Sequence, residues 1–428
     1  MLKTLKNREF RLLWLGQSVS HLGDQFHLIA LPWLVLALTG DPLQLGLVMA
    51  LAGIPRALVM LFGGAIADRV SPRLLMIGSD ILRFGIAAGI AVAVATGTVQ
   101  LWMIYTLAMG FGFISGFFLP AAEATLPRVV GERLLAGGNS LMMIADQAAQ
   151  FVGPALAGSI IALLAHDVAG TPAGMTGIAF AFAVDAASFA FGVLTLALMR
   201  PVAGFGSDRH PLRDIADGLS FVWQNITIRT AMMVIALANL MLTGPVFVGL
   251  PVLAAQRLDE GVAAFGAVLS GYAAGNLIGM AGAGSWRPSP RQLGWIGFAI
   301  FPFLGVIYAA IGFVDNTWVA VVLMVIGGIG NGFLSINVIT LLQQMTPKPF
   351  LGRVMSVLML SMYGLGPISQ MLAGWVLHFS VTWLFVGAAA CLIVPAVIAV
   401  RHRQMWAFPA SAEVDAGATA TVEEVRTR

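Results

Sequence analysis

The chain has 428 residues, of which 59% are hydrophobic and only 10% charged, with a formal net charge of +3. Soluble domains carry roughly a quarter of their residues charged, so a mean hydropathy of +0.90 excludes a water-facing globule and implies an integral membrane protein. The single cysteine, Cys391, excludes an intramolecular disulfide, and the basic balance reads as membrane topology rather than nucleic-acid binding, because the bases sit in short connections.

The N-terminus, MLKTLKNREFRLLW, is basic and then apolar for longer than a cleaved leader's core, so the first helix is expected to be retained. Apolar runs of about 20 residues cross a hydrocarbon layer of roughly 30 Å. They are predicted at 10–38, 43–66, 74–96, 99–120, 138–165, 174–199, 229–255, 261–284, 291–313, 316–342, 353–379 and 381–401. Every second connection, and both ends, carry Lys and Arg, while the intervening connections hold Arg257 alone. Under the positive-inside rule that alternation predicts twelve transmembrane helices, an all-α integral membrane fold with both termini cytoplasmic.

The chain also repeats itself. ADRVSPR at 67–73 aligns with SWRPSPR at 285–291, LPRVVGERL at 126–134 with TPKPFLGRV at 346–354, and GPALAG at 153–158 with GPISQMLAG at 366–374. Two pseudo-symmetric six-helix bundles are therefore expected at 1–200 and 229–402, joined by a linker at 201–228. In that linker Leu212, Ile215, Leu219 and Val222 recur at helical spacing, which predicts an amphipathic helix on the membrane surface. The small, polar tail at 403–428 is expected to be disordered.

Ionisable groups inside spans are costly and become functional candidates by default. They are Asp24, Arg56, Asp80, Arg83, Asp146 and Asp185, all in the first half; spans seven to eleven offer amides such as Asn239, Asn276, Asn331 and Asn337 instead. Gln17, His21, Asp24 and His27 recur at helical intervals and form one polar stripe. Asp24 and Arg56 lie at depths differing by roughly 6 Å, within reach of an ion pair if their helices face one another. Asp80 and Arg83, three apart, are expected to pair on their own helix. Asp146 leads with Gln150 into a glycine-proline segment, and Asp185 has no sequence neighbour that explains it. A metal held by His21, Asp24 and His27 is disfavoured, since two histidines six apart point about 120° away from superposition. GGIGNG at 327–332 follows no strand and lacks a lysine, so no nucleotide or other cofactor is expected. Gly271, Gly275 and Gly279 predict close helix contact.

GGAIADRVSPR, with Gly64, Asp68, Arg69 and Arg73, together with the two-halved organisation, resembles the major facilitator superfamily of secondary transporters. GDQFHLIALPWLVLALTGDPLQLGLVMA and GFFLPAAEATLPRVVGERL resemble its branch of macrolide-efflux proteins and the enterobactin exporter, and QFVGPALAG, with Gly153, Pro154 and Gly158, resembles its export motif. The resemblance implies that Asp68, Arg69 and Arg73 form a cytoplasmic latch, the acid capping a helix N-terminus of the other half and the guanidinium groups holding carboxylates, with Glu123 and Arg353 as neighbours. It further implies a monomeric exporter, not an enzyme, that exchanges protons for a small amphipathic molecule at a midplane site among membrane lipids. Asp24, Gln150 and Asn239 are the expected polar contacts of that site. A lipid or lysophospholipid flippase, an importer and a membrane-embedded enzyme remain as rivals; the last would need a nucleophile or metal cluster that the sequence does not display.

Overall fold

The computed structural model describes residues 4–165, 175–201, 219–286, 290–347 and 350–401, with backbone alone described at 61–69, at 132, at several positions within 290–298 and at 399–401. The helices are α1 (Arg8–Thr39), α2 (Pro42–Arg69), α3 (Pro72–Ala95), α4 (Leu101–Val130), α5 (Glu132–Ala165), α6 (Thr176–Leu198), α7 (Ile226–Gly244), α8 (Leu250–Arg257), α9 (Val262–Ser285), α10 (Pro290–Ile311), α11 (Thr317–Met345), α12 (Leu351–Tyr363), α13 (Gly366–Leu377), α14 (Val381–Cys391) and α15 (Ile393–Arg401). Among the described residues, 11 helical stretches are long and apolar enough to cross a membrane, and Ala299–Ile311 is a shorter apolar helix. Most of the linker and the whole tail lie outside the described residues.

Local chemistry starts and stops these helices where the sequence offers it. The Asn7 side chain accepts from the backbone N–H groups of Glu9 and Phe10, and Asn225 and Asn316 cap α7 and α11 in the same way. Three spans read as continuous are in fact broken; the twelfth divides at Leu392 into α14 and α15, and the other two breaks lie beside prolines. The seventh passes through a π-helical turn at Pro245–Gly249, and just before it the Gly244 N–H donates to Ser369 Oγ at 2.7 Å. The eleventh breaks at 364–365, ahead of Pro367. Proline supplies no N–H and clashes with the preceding turn, which explains both sites.

Apolar side chains such as Leu163, Val306 and Trp318 face outward, as a lipid solvent requires, so packing rather than burial from water must hold the helices together. In the second half α9 and α11 interlock through glycines. A methyl group on Gly275 would fall 2.0 Å from the Val325 carbonyl oxygen, and one on Gly332 would fall 2.2 Å from that of Asn276. The GGIGNG segment is thus a packing surface.

The core shows how the halves meet. α1 to α6 pack on one another and α7 to α15 likewise. One large cluster spans both sets, joining Ile29, Leu45 and Ile161 to Leu253, Phe265 and Phe385. These residues sit toward the face opposite the basic connections. At the basic face the core divides, with Phe10, Met76 and Leu126 in the first half and Ile228, Leu342 and Val354 in the second. The halves are therefore closed against each other at one face and separate at the basic one.

Arg257, the exception to the alternation of bases, has a local purpose. Its guanidinium donates to the Gly312 carbonyl and to Thr382 Oγ1, both at 2.8 Å, tying α8 to the end of α10 and the start of α14. Arg257→Ala is expected to cost about 1.5–3 kcal/mol, the worth of a charged hydrogen bond, and to lower the thermal midpoint in detergent; an unchanged midpoint would show the tie to be dispensable.

Candidate functional site

Three regions carry the chemistry, and the first is the seam between the halves. A methyl group on Gly158 would lie 2.6 Å from the Val262 carbonyl oxygen, and one on Gly266 would lie 2.2 Å from that of Pro154, so α5 and α9 touch backbone to backbone. Ser270 Oγ accepts the Ala155 N–H across the seam at 2.9 Å. Gly153 faces α1 instead, against Gln25. The second seam joins α2 to α13, with Gly46 against Gly374 and Gly53 against Pro367. The two seams are the segments GPALAG and GPISQMLAG, whose likeness in sequence is thus a likeness of position. Asp41, at the start of α2, meets His378, at the end of α13, at 3.4 Å on the closed face.

The second region is a buried polar cluster on α1, α3 and α6. Arg83 donates to Asp80 Oδ1 at 2.5 Å, and its guanidinium lies between the rings of Phe118 and Phe189, 3.9 and 4.5 Å from their centroids. One face away, His27 Nδ1 meets Asp185 Oδ2 at 3.0 Å, and the imidazole stacks on Phe111 with centroids 4.4 Å apart. Asp80 and Asp185 are both wholly buried. Asp24, half-buried on α1, lies within electrostatic range of both. Glycines make the room: a methyl group on Gly192 would fall 2.8 Å from Asp80 Oδ2, and one on Gly23 would fall 3.3 Å from Asp185 Oδ1.

The polar stripe of α1 therefore divides between partners. Gln17 is buried, His27 turns to Asp185, and His21 turns to α5, where its Nδ1 lies 3.9 Å from Asp146 Oδ1. Gln150 donates to Asp146 Oδ2 at 2.8 Å. The expected pair between Asp24 and Arg56 is not present among the described residues. The reason is packing: α1 lies against α5 and α6 while α2 lies against α4 and α13, and the Arg56 side chain is exposed.

The third region is a cavity of about 270 Å³ in the second half, lined by α7, the π turn and α9 to α12. Val234, Leu242, Phe247, Phe301 and Leu304 give it apolar walls, and Asn239, Thr243, Tyr272, Tyr308, Asn331 and Ser335 are its polar groups. Asn239 donates from its side-chain amide to the Ile235 carbonyl at 3.0 Å. Gln150 and Asp24, expected beside Asn239, belong to the first half and do not line this cavity.

The latch is only partly visible. Gly64, Asp68 and Arg69 lie in α2 where side chains are outside the described residues. Among the described residues Arg73 donates to the Leu196 and Ala197 carbonyls at 2.7 and 2.9 Å, satisfying the free C-terminal end of α6. Glu123 is exposed and makes no ion pair among the described residues, while the Arg353 guanidinium lies 5.7 Å from the Phe350 ring centre. Also among the described residues, no group of three or more His, Cys, Asp or Glu could hold a metal. His27 stood in the sequence as part of a stripe, but its pairing with Asp185, across 158 residues, had no sequence signal beyond two intramembrane ionisable groups.

Known proteins agree with this architecture. The sequence profile of the family described as transmembrane secretion effector matches residues 1–424. The chain is 27% identical over 366 residues to the multidrug efflux pump Tap of Mycolicibacterium fortuitum, covering 82% of this chain and 85% of that one. It is 21% identical over 355 residues to macrolide efflux protein A of Streptococcus pyogenes, covering 82% and 84%. In fold it is similar to a bacterial homologue of the iron transporter ferroportin in an inward-facing state, with a TM-score of 0.71, 17% identity and 92% and 98% of the two chains covered. The chain belongs to the transmembrane secretion effector family of the major facilitator superfamily, multi-pass membrane transporters of alternating-access fold related to multidrug efflux pumps.

Proposed function

We propose that the protein is a proton-coupled exporter of a small amphipathic molecule, a drug or siderophore-like metabolite. It works in the cytoplasmic membrane as a monomer with twelve spans and both termini in the cytoplasm. Kinship with the macrolide-efflux and enterobactin-exporting branch is part of this reading. The observation that carries it is a division of chemistry. Among the described residues every fully buried charge (Asp80, Arg83, Asp185) lies in the first half, whereas the cavity of the second half is lined by no charged side chain. An uncharged apolar cavity of about 270 Å³ suits the hydrophobic body of an amphipath. Buried charges that must be exposed, neutralised or re-paired during a conformational change suit ion coupling. With the basic face cytoplasmic, the conformer is inward-facing, ready to load from the cytoplasm or the inner leaflet, and the segments 1–200 and 229–402 rock about the seams.

The test is transport of ethidium in proteoliposomes with an imposed pH gradient, acidic on the face opposite the basic loops. Movement of ethidium toward the acidic side, abolished by a protonophore, is expected. Movement indifferent to the gradient, or transport of a fluorescent lysophospholipid in its place, would replace the exporter reading with that of a facilitator or a flippase.

A further inference from the structure

We propose that the coupling ion is a proton carried on the buried His27–Asp185 pair between α1 and α6, to one side of the substrate cavity, with Asp24 as its relay to the open face. The proposal rests on the exporter reading and assigns that reading its ion and its carrier.

The geometry supplies three arguments. The first is charge. The cluster sets three carboxylates (Asp24, Asp80, Asp185) against one guanidinium (Arg83), with His27 the one further base on its facing surfaces. Arg83 is already committed to Asp80. A buried excess of acid is relieved by taking up a cation, and the imidazole, with one ring nitrogen on Asp185, has a second ring nitrogen to take a proton.

The second argument is the unfilled capacity of the site. Asp185 Oδ1 and Asp80 Oδ2 are buried without a hydrogen-bond partner among the described residues. Buried acceptors are normally satisfied, and exceptions cluster at functional sites. A metal cation would need a shell of several oxygens. Here the two orphaned oxygens share their surroundings with the Arg83 guanidinium, whose fixed positive charge repels one. A proton needs only one lone pair.

The third argument is access. The imidazole is insulated by Phe111 on its face and Phe182 at its edge, yet its side chain keeps 12% exposure. Asp24 is three residues back on the same helix and so shares its face. His21 follows one turn further, beside Asp146 and Gln150. The titratable groups facing the pair are Asp24 on α1 and Asp80 and Arg83 on α3, with His21 and Asp146 beyond; α4 presents Phe111 and Phe118. A stair of polar groups thus leads from the pair toward the gap between the halves.

In the step itself a proton adds to the free ring nitrogen, Nε2, while the Nδ1–H stays donated to Asp185 Oδ2. The neutral imidazole becomes imidazolium, and the pair's charge changes from −1 to 0. Release breaks the same N–H bond and returns the proton to water through Asp24. No other bond changes. A neutral pair is compatible with the closed apolar surroundings and a charged one favours the conformer that wets it, so protonation biases the two-state equilibrium.

The experiment reads that bias without a substrate. Arg133→Cys and Gly352→Cys, at the basic-face starts of α5 and α12, are spin-labelled in a Cys391→Ser background, and the inter-label distance distribution is recorded from about pH 5 to about pH 8. The parent should redistribute between two distances by about tenfold, the ratio given by a tenfold difference in proton affinity between conformers. His27→Gln, and the isosteric double variant His27→Gln/Asp185→Asn, should lose this response while still showing the two distances. Redistribution that persists in both variants would overturn the assignment of the carrier and leave the exporter standing on its transport assay. A parent that responds to sodium and not to pH would overturn the proton. A parent whose distances do not change with pH at all would overturn the whole proposal.

Discussion

Gly158→Val should abolish efflux while leaving the protein inserted and folded. The side chain would be driven onto the Val262 carbonyl oxygen, 2.6 Å from where its first carbon must sit, and onto the Gly266 Cα at 3.2 Å. Both contacts are backbone, so neither can yield by a rotamer change. Overpacking of this kind costs about 1–3 kcal/mol, and here the cost falls on one conformer, the one in which α5 and α9 touch. Lipid tails are as apolar as the side chains, so no hydrophobic force compensates for a lost close approach. Transport needs both conformers, and a bias of about 1.4 kcal/mol is already tenfold. Gly46→Val, pressed against the Gln370 carbonyl and Gly374 in the other seam, should act in the same direction. Ethidium efflux from cells, with folded yield by gel filtration in detergent, checks both. Normal efflux by Gly158→Val would mean that the seam does not form in the working cycle.

Arg83→Ala should be the most damaging single change to stability in the first half. It strands the Asp80 carboxylate, wholly buried and hydrogen-bonded among the described residues to this arginine, and it empties the slot between Phe118 and Phe189. Removing one partner of a buried pair costs about 3–5 kcal/mol. Replacing both partners by neutral groups of similar shape, as Asp80→Asn/Arg83→Met, should recover most of that, because no uncompensated charge remains. Thermal unfolding in detergent gives the comparison directly: a large drop for the single variant and a small one for the double is expected. Equal drops would mean that the arginine acts through packing against the two rings rather than through charge.

What the sequence disclosed was periodic or repeated, and what it withheld was relational. Apolar runs and the alternation of basic connections placed most helix ends to within a few residues because the membrane imposes length and sidedness on each span separately, but α4 runs on to Val130, past the expected end at 120, and α5 starts at Glu132, ahead of the expected 138. The repeats carried more than the expected two halves: GPALAG and GPISQMLAG both lie where those halves touch backbone to backbone. Helix breaks at Pro245 and before Pro367 were signalled by the prolines but masked by unbroken hydrophobicity. Which helix faces which is decided by packing, and no pattern within one helix encodes it. Asp24 and Arg56 lie close enough in depth to pair, yet their helices pack on different neighbours, while His27 and Asp185, far apart in the chain, meet at 3.0 Å. Arg73 likewise has sequence context for an ion pair, and its contacts among the described residues are helix-end carbonyls that no sequence pattern announced.

The central claim is that coupling and substrate recognition are housed in different halves, and one comparison tests it most directly. Ethidium transport is measured in proteoliposomes for the wild type, for His27→Gln and for Ala238→Phe, which fills the second-half cavity. Each is assayed twice, as accumulation driven by a pH gradient and as exchange of labelled for unlabelled ethidium with no gradient. The account predicts that His27→Gln loses accumulation and keeps exchange, whereas Ala238→Phe loses both. Accumulation retained by His27→Gln, or exchange retained by Ala238→Phe, would contradict it.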